Sequence, residues 1–223
     1  MDKYSWSEPP SQTAFPVAKA GYPYIFASAF ATAVVALTGL TAIALIGILV
    51  TFFIAFFFRD PDRIISTQKG LVVSPADGKV ISVGTVDRSI YYEGTALKIS
   101  IFMSVFNVHV NRIPFEGRVT KIGYQPGRFL AANLDKASKY NERNAIFLET
   151  EDQKKICAVQ IAGLVARRII CNLKEGDTVA RGQRFGMICF GSRVDVYLPA
   201  DSKLTIAVGD VVRAGTSVLG ELK

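Results

Sequence analysis

Residues 20–58, between Lys19 and Arg59, carry no charged side chain; most of the run reads PYIFASAFATAVVALTGLTAIALIGILVTFFIAFFF. A bilayer core takes about 20 helical residues, and a helix of this length would reach roughly 58 Å, nearly two crossings. Gly39 lies near the middle. The pattern predicts a helical hairpin joined there, in preference to one span over about 40–58 after an interfacial piece. The run starts too late, runs too long and lacks a clean small-x-small cleavage site, so it is not a signal peptide. From Lys69 onward the pattern changes to short Val- and Ile-rich runs. GLVVSPADGKVISVGTV, ALKISIFMSVFNVHV, GRVTKIGYQPG, NAIFLETE, KICAVQIAGLVARRIICNL, RFGMICFGSRVDVYLP and KLTIAVGD alternate or stay apolar for 5–8 residues, punctuated by Asp-Gly, Pro-Gly, Glu-Gly and Gly-Asp. Residues 128–144 read as a loop or a brief helix. The prediction is a mainly β protein: a polar tail (1–19), a helical membrane anchor (20–58) and one barrel-sandwich-like β domain (59–223).

Charge orients the anchor. Lys3 and Lys19 precede the run and Arg59, Arg63 and Lys69 follow it, so positive-inside logic places both ends in the cytoplasm, at the cell membrane. Residues 59–223 hold 24 of the 26 Lys and Arg and 17 of the 19 Asp and Glu, so this segment carries the whole net charge of +7. A basic domain tied to a bilayer faces anionic phospholipid headgroups, each nearby cation contributing on the order of 1 kcal/mol. No basic helix, RNP-type aromatic motif or helix-turn-helix pattern supports nucleic acid as the partner. Half the residues are apolar and 20% charged, which excludes a disordered chain. Three cysteines without a CxxC (Cys157, Cys171, Cys189) argue against a disulfide scaffold or a zinc site. With a single histidine, any chemistry needing imidazole must use His109.

An internal echo sharpens the β reading. Gly176-Asp177-Thr178-Val179-Ala180-Arg181-Gly182 recurs 33 residues later as Gly209-Asp210-Val211-Val212-Arg213-Ala214-Gly215, and Pro75-Ala76-Asp77 matches Pro199-Ala200-Asp201. Such turns resemble the hairpins of lipoyl and biotinyl domains, but the Met-Lys pair of a biotinyl carrier is missing.

Three constellations could carry chemistry. Ser74-Pro75-Ala76-Asp77-Gly78-Lys79-Val80 places an aspartate in a turn that opens a strand; alone, Asp-Gly is a turn signal. Phe106-Asn107-Val108-His109-Val110-Asn111-Arg112 holds the sole histidine, which alone is more often a hydrogen-bonded core residue than a catalyst. Phe190-Gly191-Ser192-Arg193 joins two apolar runs without the residues of an ordinary hairpin loop.

Together, SPADGKV, the NVHVNR strand, FGS near the C-terminus and the FFFRDPDR exit from the apolar segment resemble phosphatidylserine decarboxylase proenzymes of the short type. The resemblance runs from about residue 20 to the end, and its specificity lies in the conjunction. It implies a membrane enzyme that converts phosphatidylserine to phosphatidylethanolamine and CO2 with a pyruvoyl group made from its own backbone. The implied scissile bond is Gly191–Ser192, leaving an associated β chain (1–191) and α chain (192–223); a homo-oligomer is left open.

The chemistry is consistent with these residues. Decarboxylating an α-amino acid leaves a carbanion that needs an electron sink conjugated to the amine, and a pyruvoyl ketone supplies one without a separate cofactor or metal. Making it needs Ser192 Oγ to attack the Gly191 carbonyl, an amide-to-ester shift, β-elimination, and hydrolysis of the dehydroalanine. Serine needs an adjacent base. His109 is the one imidazole, with Asp77 as its orienting carboxylate in the manner of a Ser-His-Asp arrangement, and the resemblance assigns these two positions to self-cleavage.

Two departures stand out. Longer-type members carry a second histidine where this chain has Phe106, so either His109 also protonates the product carbanion or a water or tyrosine does, with Phe106 walling the pocket. Their Leu-Gly-Ser-Thr reads Phe190-Gly191-Ser192-Arg193 here, leaving Arg193 as either a substrate ligand or a solvated strand end. Two rivals remain: a membrane-tethered adaptor or carrier-like domain in which Gly191-Ser192 is only a turn, and a pyruvoyl decarboxylase of a soluble amino acid.

Overall fold

The computed structural model describes residues 4–6, 15–127, 140–163, 168–189 and 192–223. The expected loop over 128–144 lies largely outside them, although its last residues open a strand. Contacts divide the chain into a helical unit, Pro10–Asp62, and a β unit of Met1–Pro9 with Arg63–Lys223.

In the helical unit, α1 (Tyr22–Leu37) follows a short 3-10 turn and α2 (Thr41–Phe57) follows Gly39, whose φ of 78° makes the reversal. The helix Lys19–Leu37 is long and apolar enough to cross a membrane; Thr41–Phe57 is shorter. The two helices pack against each other. Ser28 and Thr51 hydroxyls meet at 2.8 Å, and a Cβ on Gly47 would lie 2.5 Å from Thr32 Oγ1, so the close approach needs a glycine there. Thr32 and Thr51 also donate to carbonyls one turn back, which satisfies both hydroxyls inside an apolar pair.

The β unit is mainly antiparallel. A strand β1 (Tyr4–Trp6) pairs with β2 (Ile64–Ser66), so part of the expected polar tail is sheet. The main sheet, a curled half-barrel, has eight strands in the order β11-β7-β8-β9-β13-β5-β4-β15. These are β4 (Gly78–Val86), β5 (Ala96–Met103), β7 (Gly117–Gln125), β8 (Arg143–Glu149), β9 (Lys155–Ala162), β11 (Thr178–Val179), β13 (Ser192–Pro199) and β15 (Val211–Val212). Two three-stranded sheets complete it: β10 (Arg168–Cys171), β12 (Arg184–Cys189) and β6 (Val110–Arg112), and β14 (Lys203–Leu204), β16 (Val218–Glu221) and β3 (Leu71–Val73).

The sequence echo marks a quasi-twofold. The two G-D-x-V segments form the two edges of the large sheet, β11 on β7 and β15 on β4. Val119 N donates to Asp177 O and Val80 N to Asp210 O, and both inner strands carry a bulge just beyond. Gly176 and Gly209 adopt φ of 93° and 104°, while Asp177 and Asp210 each accept an amide three residues back at 2.8 Å. The quasi-axis passes between β9 and β13.

Alternation sorts the strand residues onto two faces. Val194, Val196 and Leu198 of β13 join the larger apolar core with Ile99, Ile101, Met103, Ile146 and Phe185. Tyr197, Cys157, Val159 and Ile161 form a smaller core on the opposite face.

Candidate active site

The three singled-out motifs meet at one end of the large sheet. Ser192 opens β13 and pairs with Met103 at the end of β5 and Ala162 at the end of β9. Beside β5, strand β4 begins at Gly78, directly after Asp77. A Cβ on Gly78 would lie 2.1 Å from the Phe102 carbonyl oxygen, so β4 approaches β5 closely because this residue has no side chain. His109 immediately precedes β6, and Ile188 N on β12 donates to its carbonyl. Strand β12 then leads through residues 190 and 191 into Ser192. The Pro75 carbonyl accepts Arg112 N at 2.9 Å, fixing the Ser74–Gly78 turn to the histidine strand. Gly191 and Phe190 lie outside the described residues.

The individual contacts differ from a preassembled triad. Ser192 is fully buried, and its hydroxyl donates to Met103 Sδ at 3.3 Å. His109 is also fully buried, and its Nδ1 lies 2.9 Å from the Asn107 carbonyl. A carbonyl only accepts, so in the neutral ring Nδ1 carries the proton and Nε2 holds the basic lone pair. Asn107 is itself set by its side chain, whose Oδ1 accepts both the amide and the hydroxyl of Ser104. The expected orienting contact from Asp77 is thus replaced by a backbone carbonyl. Asp77 Oδ2 instead pairs with Arg63 at 2.9 Å, and its Oδ1 accepts Ala214 N at 2.7 Å. Its carboxylate ties the Ser74–Gly78 turn to the β2 approach and to the second G-D-x-V segment.

Arg193 is not the solvated strand end, one of the two roles expected of it. It lies on the face of β13 opposite Ser192, is 2% exposed, and makes a bidentate pair with buried Asp195 at 2.8 and 3.1 Å. Lys98 reaches the same carboxylate at 3.1 Å. Phe106 does not wall the pocket: it is 66% exposed in the turn that holds Asn107.

Sequence reading missed the amides around the serine. Asn111, Gln160 and Asn144 are buried polar residues in otherwise apolar strands, which was the available signal. Asn111 Nδ2 reaches the sulfur that accepts from Ser192, and Gln160 and Asn144 follow behind it in a hydrogen-bonded line. Cys189, two residues before Gly191, offers no competing nucleophile, because burial pushes its thiol up despite the Arg168 charge nearby.

Similarity to known proteins places this chain among the carboxy-lyases made as proenzymes and gives the family. A family model described as phosphatidylserine decarboxylase matches residues 50–220. A phosphatidylserine decarboxylase proenzyme of Desulfotalea psychrophila is 49% identical over 211 residues, 95% of this chain and 99% of the relative. Proteins of the same name from Syntrophus aciditrophicus and Geotalea uraniireducens are 50% and 48% identical, covering 92% and 93% of this chain and 96% and 97% of their own lengths. The chain belongs to the phosphatidylserine decarboxylase family.

Proposed function

We propose that this chain is a self-processing phosphatidylserine decarboxylase. It cuts its own Gly191–Ser192 bond, converts Ser192 to a pyruvoyl group, and then releases CO2 from phosphatidylserine to leave phosphatidylethanolamine at the cytoplasmic face of the membrane. The observation that carries the reading is a buried, weakly held serine at the same end of the sheet as a buried imidazole whose Nε2 is the basic nitrogen. A thioether is a weak acceptor, so turning the Ser192 hydroxyl from Met103 towards His109 costs little. The Asn107 carbonyl keeps Nε2 as the nitrogen that takes the proton. Arg63 and Ala214 hold Asp77, and through it the turn packed on the histidine strand, so Asp77 acts on the positioning of His109.

The residues around Ser192 suit the group it would become. Met103 and Ala162 flank it, Ser192 and His109 are fully buried, and no larger cofactor has to be accommodated. The pyruvoyl group supplies an electron sink conjugated to the substrate amine. With that group in place, His109 would be the candidate that returns a proton to the substrate carbon after loss of CO2. Severing the chain before β13 leaves that strand paired on both sides, to β9 and β5, which favours an α chain (192–223) that stays bound to its β chain (1–191). The apolar helices hold the β domain at the bilayer, where the substrate keeps its acyl chains.

The test is conversion of phosphatidylserine to phosphatidylethanolamine by the full chain in mixed micelles, followed by lipid chromatography, alongside denaturing electrophoresis. Wild type yields two chains and turnover, whereas Ser192→Ala yields neither. Base assistance is worth about 10²–10⁴-fold per step, so His109→Ala remains uncut over a purification. Two chains from His109→Ala would remove the histidine from this role.

A further inference from the structure

The line of amides behind Ser192 has a direction. Asn144 Nδ2 donates to Gln160 Oε1 at 3.0 Å, and Gln160 Nε2 donates to Asn111 Oδ1 at 2.9 Å. All three side chains are buried. The Gln160 and Asn111 oxygens are each taken by the amide behind, so the Asn111 NH2 faces forward. There, among the described residues, it finds only weak partners, the Pro75 carbonyl at 3.5 Å and Met103 Sδ at 3.8 Å. The same sulfur accepts the Ser192 hydroxyl at 3.3 Å. Folding a buried donor against one hydrogen bond at its distance limit and one thioether contact leaves it poorly compensated. Such a donor, with its orientation enforced from behind, is suited to an acceptor that arises only during reaction.

We infer that Asn111 is the oxyanion donor of the self-cleavage, and that Gln160 is the residue that positions it. This rests on the self-processing reading above. When Ser192 Oγ bonds to the Gly191 carbonyl carbon, its proton passes to His109 Nε2 and the carbonyl π pair moves onto oxygen. The Asn111 NH2 hydrogen-bonds that oxyanion. When the pair returns to re-form the carbonyl, the bond from Gly191 carbon to Ser192 nitrogen breaks, and the nitrogen takes the proton from His109, leaving an ester. Nothing else is consumed.

The test follows conversion of freshly made full-length precursor by electrophoresis and intact mass across a pH series. Asn111→Asp keeps the shape and still accepts from Gln160, but its ionised form has no donor. Loss of one oxyanion donor slows such reactions about 10²–10³-fold, and that deficit relative to wild type at the same pH narrows as pH falls and the new carboxyl regains an O–H. Gln160→Glu still accepts from Asn144, but its ionised form cannot donate to Asn111, so the asparagine turns its oxygen forward. It slows conversion by a similar factor, although it is one residue removed from Asn111 in the line of amides. Melting curves of both variants in the uncut Ser192→Ala background separate folding from chemistry, and Gln160→Glu carries the test if Asn111→Asp does not fold. Conversion by folded Asn111→Asp or Gln160→Glu within about threefold of wild type, or an Asn111→Asp deficit constant across pH, overturns the assignment. A wild-type precursor that never converts overturns the self-processing reading itself, and this inference with it.

Discussion

Replacing Asp195 tests which face of the sheet serves the substrate. Arg193 and Asp195 side chains are 2% and 1% exposed, and Lys98 joins them at 3.1 Å. Asp195→Ala leaves the Arg193 guanidinium buried without its bidentate partner. Breaking a buried pair from one side costs about 3–5 kcal/mol, most of it the unpaired charge. A domain of this size loses roughly 2–4 °C of Tm per kcal/mol, so the melt should fall by about 6–20 °C. Removing both charges is different: Arg193→Met with Asp195→Leu fills similar volume without desolvated charge and should melt within a few degrees of wild type. Lys98, with 22% of its side chain exposed, keeps its ammonium near solvent. The assay is a thermal melt of the detergent-solubilised full chain, with electrophoresis for cleavage and lipid chromatography for turnover. The double variant should cleave and turn over phosphatidylserine within a few-fold of wild type. A double variant that melts normally and cleaves, yet loses turnover, would make Arg193 a substrate ligand and refute the two-face assignment.

Replacing residues 20–58 with a polar linker, which retains the β1–β2 pairing, should spare self-cleavage and lower turnover of bilayer phosphatidylserine far more than that of a short-chain soluble analogue; equal losses would argue against a docking role for the helices. Burial pushes the Cys157 thiol far above its ordinary value, so native protein should leave it unmodified by iodoacetamide at pH 8 and label it only on unfolding; labelling at the rate of a free thiol would contradict its place in the smaller core. Burial also raises the Tyr91 phenol from 10.0 to about 12. The folded state then keeps a proton that the unfolded state loses, so stability is full below pH 10 and falls as pH rises towards 12, measurable as a falling denaturation midpoint.

Much of this architecture is written locally. An uncharged run of helical length and a single glycine with positive φ are enough to define two apolar helices, because backbone satisfaction inside each helix needs no partner. Period-2 alternation likewise marks β5, β9 and β13, and the repeated Gly-Asp turns marked the two sheet edges before their quasi-twofold relation could be seen. That relation depends on pairings between residues as far apart as Gly78 and Val212, which no local pattern records. Alternation also held an unread clue at Arg193: the residue following Ser192 in a strand must face away from it. The candidate site was legible as three motifs and not as contacts. Asp77 looked like an orienting carboxylate because aspartate beside a lone histidine invites that geometry, whereas the fold gives its oxygens to Arg63 and Ala214 and leaves the imidazole to a backbone carbonyl. Phe106 reads as pocket lining from its neighbours, but a turn closed by Ser104 and Asn107 turns it outward. Asn111, Gln160 and Asn144 were visible only as amides in apolar strands, since their line crosses three strands from distant parts of the chain.

The central claim is that Ser192 cuts the backbone before it and becomes a ketone. Intact mass of the freshly purified active protein measures this most directly. The account predicts two species, one of them a 32-residue C-terminal fragment (223 − 191) that is lighter by one ammonia than the same fragment beginning with serine, and resistant to N-terminal degradation. A single full-length mass, with residue 192 still serine in protein that makes phosphatidylethanolamine, would contradict it.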